Sequence, residues 1–581
     1  MGNKKIVGIS LIALAVMTGC SEQKKGSNEL DSDTTQQVEV TDLKAETLIA
    51  VSPKAVKTEA LSTKELNAVQ YQSRSDSLVS SSKVKRQQPM VLAENIALGG
   101  IDGALAPMPM MDENYQKTPS NGVIRTVTEP LSTFSIDVDT GSYANVRNQL
   151  NNGYKPVSDA IREEAFINYF DYDYPVSEDR GQPFSVNTEI AASPWNKDRQ
   201  LLRIALKGYE IPADARKPSN LVFLIDTSGS MHSQNKLPLL KRSLVMLTKE
   251  LNENDAVSLV TYAGSSKVVL EPTKGSDKQT IINAINQLTS GGGTAGESGI
   301  RLAYQQARAG FINDGVNLIM LATDGDFNIG ISSIDKLKEI VASERKQGVS
   351  LTTLGFGRGN YNDALMEQLA DIGDGNYAYI DSIRESRKVF HHQMSGTLQT
   401  IASDVKAQIE FNPNVVKEYR LIGYQNRLLD KADFNNDAID AGEIGAGHTV
   451  TAMYELTLVG HKGQVDDLRY QSQPERKVST DLNDEVALVK LRYKLPGEST
   501  SNLITSIVKT EDIQPDFAKA SSEFQFATSV AAFAQKLKGS SYLNGMNYDQ
   551  ISEIARKNKG TDEYNYRGEF VELIRTAENI Q

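Results

Sequence analysis

Residues 221–230 read Leu221-Val222-Phe223-Leu224-Ile225-Asp226-Thr227-Ser228-Gly229-Ser230. The apolar run is short and unbroken, as in a strand buried on both faces, and it stops on a carboxylate followed by two alternate hydroxyls. In a doubly wound sheet, ligands bind at the carboxyl ends of strands, where the connections diverge. Alternate residues of this turn therefore aim Asp226, Ser228 and Ser230 toward one point. Farther along, Gly291-Gly292-Gly293 lets the backbone come close and delivers Thr294 to the same rim. A second apolar strand, Leu318–Ala322, ends in Thr323-Asp324-Gly325.

The surrounding pattern supports the same fold class. Strand-like runs at Leu221–Ile225, Val257–Tyr262, Leu318–Ala322 and Leu351–Phe356 alternate with helical segments over residues 217–402. That alternation implies an α/β unit with a mainly parallel, Rossmann-like doubly wound sheet covered on both faces. Leu237, Leu240, Leu244, Leu247 and Leu251 recur at spacings of three and four, giving the first helix one apolar stripe. Gly264-Ser265-Ser266 is too brief for a crossover, so Val268–Leu270 is expected as one antiparallel edge strand.

The ligand set Asp226, Ser228, Ser230, Thr294 and Asp324 is all oxygen, which selects Mg²⁺, or less preferentially Mn²⁺ or Ca²⁺. Neutral hydroxyls leave the ion's demand for anions unquenched, so a partner's carboxylate is the natural ligand for an open position. Order, preceding strands and glycine-rich approach together resemble the metal-ion-dependent adhesion site of von Willebrand factor type A domains. The resemblance implies that Ser228, Ser230 and Thr294 face the metal directly and that Asp226 and Asp324 act partly through water. The stretches Glu129–Thr140 and Gly445–Ala452 further resemble YfbK-like bacterial lipoproteins, which carry a type A domain between an N-terminal region and a C-terminal domain.

Outside the type A unit, residues 118–216 read as helical and then β, with Tyr143–Phe170 helical and Phe184, Val186, Thr188 and Ile190 alternating as on a half-buried strand. Residues 403–581 read as β-rich to about residue 497 and then helical, with Phe524, Ala527, Val530, Ala531 and Ala534 on one face. Strands from Phe184–Leu206 and Gln408–Tyr493 are expected to pair into one sandwich into which the type A domain is inserted, by analogy with the integrin arrangement.

At the N-terminus, a basic start at Met1–Lys5 precedes the apolar run Ile6–Met17 and then Thr18-Gly19-Cys20. This is the layout of a secretory signal too short to span a bilayer comfortably. It resembles a bacterial lipobox, which makes residues 1–20 a signal peptide and Cys20, the only cysteine, the lipidated residue. By the sorting rule of such lipoproteins, Ser21 favours the outer membrane. Residues 21–117 are rich in Ser, Thr, Gln, Lys and Glu and read as a disordered tether with a mean reach of roughly 50–60 Å. The formal net charge of −12 argues against a general nucleic-acid binder. An exported chain also has no ATP supply, which disfavours pairing with a MoxR-type ATPase.

Other motifs carry less. Asp139-Thr140-Gly141-Ser142 matches an aspartic-protease signature, but no second copy exists to share the proton. Asp137-Val138-Asp139 has Gly141 where a phosphatase needs Thr or Val, so a turn or cap before the next helix is the expectation. Asp433, Asn435, Asp437, Asp440 and Glu443 suggest a second cation site, although Ala438 and Ile444 replace the EF-hand glycine and glutamate. His391-His392 reads as a surface pair. The leading expectation is a metal-dependent protein-binding lipoprotein of adhesion or scaffold type. A hydrolase acting through Asp137/Asp139 and a structural scaffold with a vestigial metal site are the alternatives.

Overall fold

The computed structural model describes residues 113–580, apart from 178–180, 213–214, 294–295, 326–333, 360, 394–395, 397, 467–481 and 483. The expected signal, Cys20 and most of the tether lie outside the described residues. The N-terminal elements are β1 (Ile124–Arg125), β2 (Leu131–Ser135), α1 (Gly141–Asn151), α2 (Glu163–Ile167), β3 (Phe184–Ala192) and β4 (Gln200–Gly208). The expected helix over Tyr143–Phe170 is thus two helices. Gly153 takes a left-handed φ of 77°, and Pro156 disfavours helical backbone before it, so the chain turns there.

The central unit runs β5 (Ser219–Asp226), α3 (Leu237–Glu250), β6 (Ala256–Tyr262), β7 (Ser266–Lys274), α4 (Lys278–Asn286), α5 (Gly296–Ala309), β8 (Val316–Thr323), α6 (Ile334–Arg345), β9 (Ser350–Phe356), α7 (Asp363–Ile372), β10 (Tyr377–Ile380) and α8 (Ile383–Arg387). Its sheet has the order β10-β9-β8-β5-β6-β7, parallel throughout except for β7, which pairs antiparallel with β6 as the expected edge strand. Alternation along β5 explains its unbroken apolar run. Leu221, Phe223 and Ile225 pack with the leucine stripe of α3, whereas Val222 and Leu224 pack with Ile300, Ala303 and Ala307 of α5.

The chain then forms β11 (Thr400–Phe411), β12 (Val416–Ile422), β13 (Gly442–Gly445), β14 (Thr449–Leu458), β15 (Glu485–Lys494), β16 (Asn502–Lys509), β17 (Ile513–Gln514), α9 (Ser522–Lys538), α10 (Tyr548–Lys557) and α11 (Tyr566–Ile580). One sheet has the order β1-β12-β14-β4-β3-β17 and the other β13-β11-β15-β16, with β2 also paired to β11. Strands before and after the type A unit share a sheet, with Leu202 opposite Tyr454 in the β4–β14 register. Both sheets contribute to one core that includes Phe134, Leu202, Val405, Phe411, Tyr454 and Val489. The sandwich and the insertion into it are therefore as the sequence leads one to expect, although the β-rich part continues to Gln514 rather than ending near residue 497.

A helical layer of α1, α2, α9, α10 and α11 covers the outer face of the β3–β4–β14 sheet through Ala191, Leu201, Ala205 and Met453. α9 is buried nearly all round rather than on one face: Phe526, Ala532, Phe533 and Gln535 are enclosed as well. It is capped by Ser521, whose hydroxyl accepts from Phe524 N at 3.1 Å, and it ends on Gly539 at a φ of 80°.

Candidate metal centre

β5 and β8 lie side by side and deliver their carboxyl ends to one rim, with Ile225 opposite Ala322. Asp226, fully buried, closes β5. Its Oδ1 accepts from the backbone N–H of Ser228 at 2.8 Å, and its Oδ2 accepts from the hydroxyl of Thr323 at 3.0 Å. Burial outweighs these bonds and pushes the Asp226 carboxyl up to about 6, and the charge of Asp324 adds to the rise. Ser228 and Ser230 share a hydrogen bond of 2.9 Å between their hydroxyls. Ser228 is buried, whereas Ser230 is exposed, so the pair faces outward from the rim.

The glycine run is stitched to this turn. Gly291 N donates to Thr227 O at 2.7 Å, and Gly229 N donates to Gly292 O at 3.1 Å. Gly292 stands at a φ of 90°, a conformation that side chains rarely adopt. Thr294 follows but lies outside the described residues. Across the rim, Asp324 is buried and accepts from Lys236 Nζ at 2.8 Å. Gly325, at a φ of 86°, leaves no room for a side chain, since a Cβ there would come within 2.5 Å of the Tyr361 ring. Asp226, Ser228, Ser230 and Asp324 therefore share one rim, and the donors suit a hard divalent cation: hydroxyl and carboxylate oxygens, two of them already 2.9 Å apart. Thr323 and Lys236 were not foreseen. The hydroxyl of Thr323 immediately before Asp324 was a weak signal, and Lys236 gave none.

The second expected site does not assemble around one point. Asp433 and Asn435 lie in one 3₁₀ turn, Lys431–Asn435, where Asn435 accepts from Arg492 Nη2 at 2.9 Å, whereas Asp437 accepts from the Ser501 hydroxyl at 2.6 Å. Without a turn glycine at Ala438, the first half of the loop faces β15 and its following turn. Asp440 and Glu443 instead meet Asp374, with carboxylate oxygens within 4.8 Å of one another, a cluster that could coordinate a metal. Arg345 already bridges Asp374 and Asp440. Burial raises Asp374 to about 6 and holds Glu443 well above the usual carboxylate range.

Asp137 and Asp139 line a cavity of about 230 Å³ together with Asp371, Arg427 and Glu443. Both carboxylates hold backbone in place: Asp139 accepts from Tyr377 N at 2.7 Å, and Asp137 accepts from Asp139 N at 2.9 Å and from Arg427 Nε at 3.1 Å. The rest of Asp139-Thr140-Gly141-Ser142 is structural too. A Cβ on Gly141 would lie 2.2 Å from the Tyr377 ring, and Ser142 Oγ bridges Ala160 O and Arg162 N at 2.6 and 3.0 Å. Thr140 forms no side-chain cap, so of the expected turn or cap it is the turn that precedes α1. His391 pairs with Glu250 at 3.2 Å and His392 lies 3.7 Å from the Tyr564 ring centroid, as befits a surface pair.

Beside the rim, a groove of about 710 Å³ runs between α3 and the end of α4, with Leu237, Pro238 and Val245 on its floor and His232, Lys241 and Arg242 on its walls. A neighbouring hollow continues from Arg242 and Val245 past Lys249 to Arg387. Basic side chains thus gather along α3 in a chain whose net charge is −12.

Comparison with known proteins is consistent along the chain. A family model described as von Willebrand factor type A domain matches residues 220–392, one described as von Willebrand factor matches 109–203, and one described as uncharacterized protein YfbK, C-terminal, matches 396–580. Uncharacterized protein YfbK of Escherichia coli K12 is 46% identical over 473 residues, covering 80% of this chain and 81% of its own. Uncharacterized protein sll0103 of Synechocystis is 27% identical over 58% of this chain and 75% of its own. A solved von Willebrand factor type A structure from Catenulispora acidiphila covers 70% of this chain and 91% of its own at 13% identity and a TM-score of 0.40.

Proposed function

The chain belongs to the YfbK family, and we propose that its type A unit is a divalent-metal-dependent protein-binding module, lipid-anchored in the bacterial envelope through Cys20. A type A protein-interaction domain is the general character of the central unit. The metal dependence rests above all on one observation: Ser228 and Ser230, 2.9 Å apart, stand on the same rim as Asp226 and Asp324. Thr294, carried by the glycine run, completes the donor set in this reading. Mg²⁺, or Mn²⁺ or Ca²⁺, bound there would supply a Lewis-acidic position for an Asp or Glu carboxylate of a partner protein. The chain's own part is to hold Asp226 in place through Ser228 N and Thr323 Oγ1, to hold Asp324 through Lys236, and to leave Ser230 open to the partner. The basic walls of the groove beside α3 favour a partner that is acidic around that carboxylate.

The anchor reading rests on the sole cysteine falling directly after an apolar leader, with Ser21 favouring the outer membrane. The test of function is recovery of partners from envelope extracts by the wild type in Mg²⁺, by the wild type in EDTA, and by Asp226→Ala. Recovery is expected in Mg²⁺ alone. The same partners in all three conditions would refute the metal dependence and leave a scaffold.

A further inference from the structure

Lys236 stands out among the residues around the rim. It lies just ahead of α3, in the same β5–α3 connection that carries Ser230, and reaches across to Asp324 Oδ2 at 2.8 Å. The lysine side chain is 12% exposed and the aspartate 3%, so the pair is largely shielded from water and stronger than an exposed one. Its stem is seated as well. Gly357, at a φ of 72°, lies against it so closely that a Cβ there would fall 2.2 Å from Lys236 Cε and 2.6 Å from Cγ. Asp226, by contrast, is held by an amide and a hydroxyl. Among the described residues, two carboxylates thus face the rim with one ammonium between the serine-bearing and aspartate-bearing loops.

We propose that Lys236 is a tethered counter-ion that competes with the divalent cation for Asp324 and so sets the metal concentration at which the rim becomes competent to bind. The inference rests on the metal-centre reading above. An ammonium and a divalent ion close together repel each other, and both draw on the same carboxylate oxygens. The metal therefore either displaces the lysine or binds against its charge, and affinity falls in both cases. A lysine suits this role better than an arginine: it is a single point charge on a flexible stem, able to swing out, rather than a fork fixed on both oxygens.

The experiment is calorimetric titration of Mg²⁺, and separately Mn²⁺, into the purified full chain as wild type, Lys236→Met, Lys236→Gln, Lys236→Arg and Asp226→Ala, with melting curves of each in EDTA and in Mg²⁺. Lys236→Met and Lys236→Gln should bind Mg²⁺ at least about tenfold tighter than wild type. Lys236→Arg should bind no tighter than wild type. In EDTA the two neutral variants should melt below wild type, because the ion pair with Asp324 is gone, and Mg²⁺ should raise their melting temperatures by more than it raises that of wild type. Equal or weaker affinity in the neutral variants, with binding still abolished by Asp226→Ala, would overturn the tethered counter-ion while leaving the metal centre standing. No binding in any variant, or binding that Asp226→Ala does not remove, would overturn both.

Discussion

Arg427 follows β12 and reaches into the cavity beside the type A unit, where it meets Asp137 at 3.1 Å, Glu367 at 3.3 Å, Asp139 at 3.6 Å and also Asp371. These carboxylates come from different parts of the chain: the segment before α1 and the helix α7. Arg427→Met keeps the bulk and removes the charge. Taking one partner from a buried ion pair costs about 3–5 kcal/mol. Arg162, 3.0 Å from Glu367, still compensates that group, and Asp371 is partly exposed, so the lower end, about 3 kcal/mol, is expected. The loss should depend on pH in a defined direction. Burial raises Asp139 well above the usual range and Glu367 to about 7, and Arg427 opposes both shifts. A carboxyl raised in the folded state costs stability above its folded pKa and returns it as pH falls through that value. Without Arg427 both groups rise further, and since Glu367 already stands at about 7, the loss should be greatest near pH 8 and shrink toward pH 6 as that group takes up its proton. Urea unfolding followed by Trp195 gives the measurement, because this sole tryptophan is buried in the helical layer and donates to Glu455 at 2.7 Å. A loss below about 1 kcal/mol, or one unchanged between pH 8 and pH 6, would refute this account of the cavity.

Three further outcomes follow from the same geometry. Gly141→Ala drives a methyl group into the Tyr377 ring, so a loss of about 1–3 kcal/mol is expected in urea unfolding; a neutral result would remove the steric reason for that glycine. Glu443→Gln should raise the melting temperature near pH 7.5, since its carboxyl is held well above the ordinary range by burial and neighbouring carboxylates. That gain should vanish near pH 5, where the glutamate is itself protonated; a gain that persists there would contradict the assignment. Cys20→Ala should move the chain from the membrane fraction to the soluble envelope fraction and abolish palmitate labelling, and a chain that stays membrane-bound and labelled would disprove the lipid anchor.

What could be read from the sequence was whatever local periodicity decides. The run Leu221–Ile225 announces a doubly covered strand because both of its faces meet helices, and the stripe Leu237–Leu251 packs as spaced. The rim was legible for a related reason: a strand end fixes where the next few side chains point, so Asp226, Ser228 and Ser230 needed no knowledge of distant contacts. Thr323 and Lys236 did need it, for they reach Asp226 and Asp324 across 97 and 88 residues of chain. Neither a threonine nor a lysine is distinctive enough by type to reveal that. Asp374 is a similar case, joining Asp440 and Glu443 only through the tertiary fold. The Asp-Thr-Gly-Ser stretch misleads in the opposite sense. Its residue types suggest proton chemistry, but the aspartate holds a backbone amide and the glycine makes room for a ring.

The way the host holds the type A unit also bears on how a partner can reach it. An open sheet offers two edges, two faces and the rim at its strand ends, and an unpaired edge strand invites backbone pairing by a second chain. At β10 that edge is covered by α1: Gly141 lies on Tyr377, Asn148 donates to Tyr379 at 2.8 Å, and Arg147 clasps Asp381 and Glu385 at 2.6 and 2.8 Å. At β7, Lys267, Lys274 and Pro272 make the strand a poor template, since proline lacks the N–H that a pairing chain needs. Both faces are buried under helices. Among the described residues the carboxyl-end rim and the basic groove beside α3 stay open, alongside the outward faces of the covering helices. A partner approaching end-on reads side chains and presents its own, which is the geometry in which a carboxylate can meet Ser228 and Ser230. An edge-on partner would bind through backbone pairing, insensitive to Asp226 and to chelation, so the response to EDTA separates the two modes of approach.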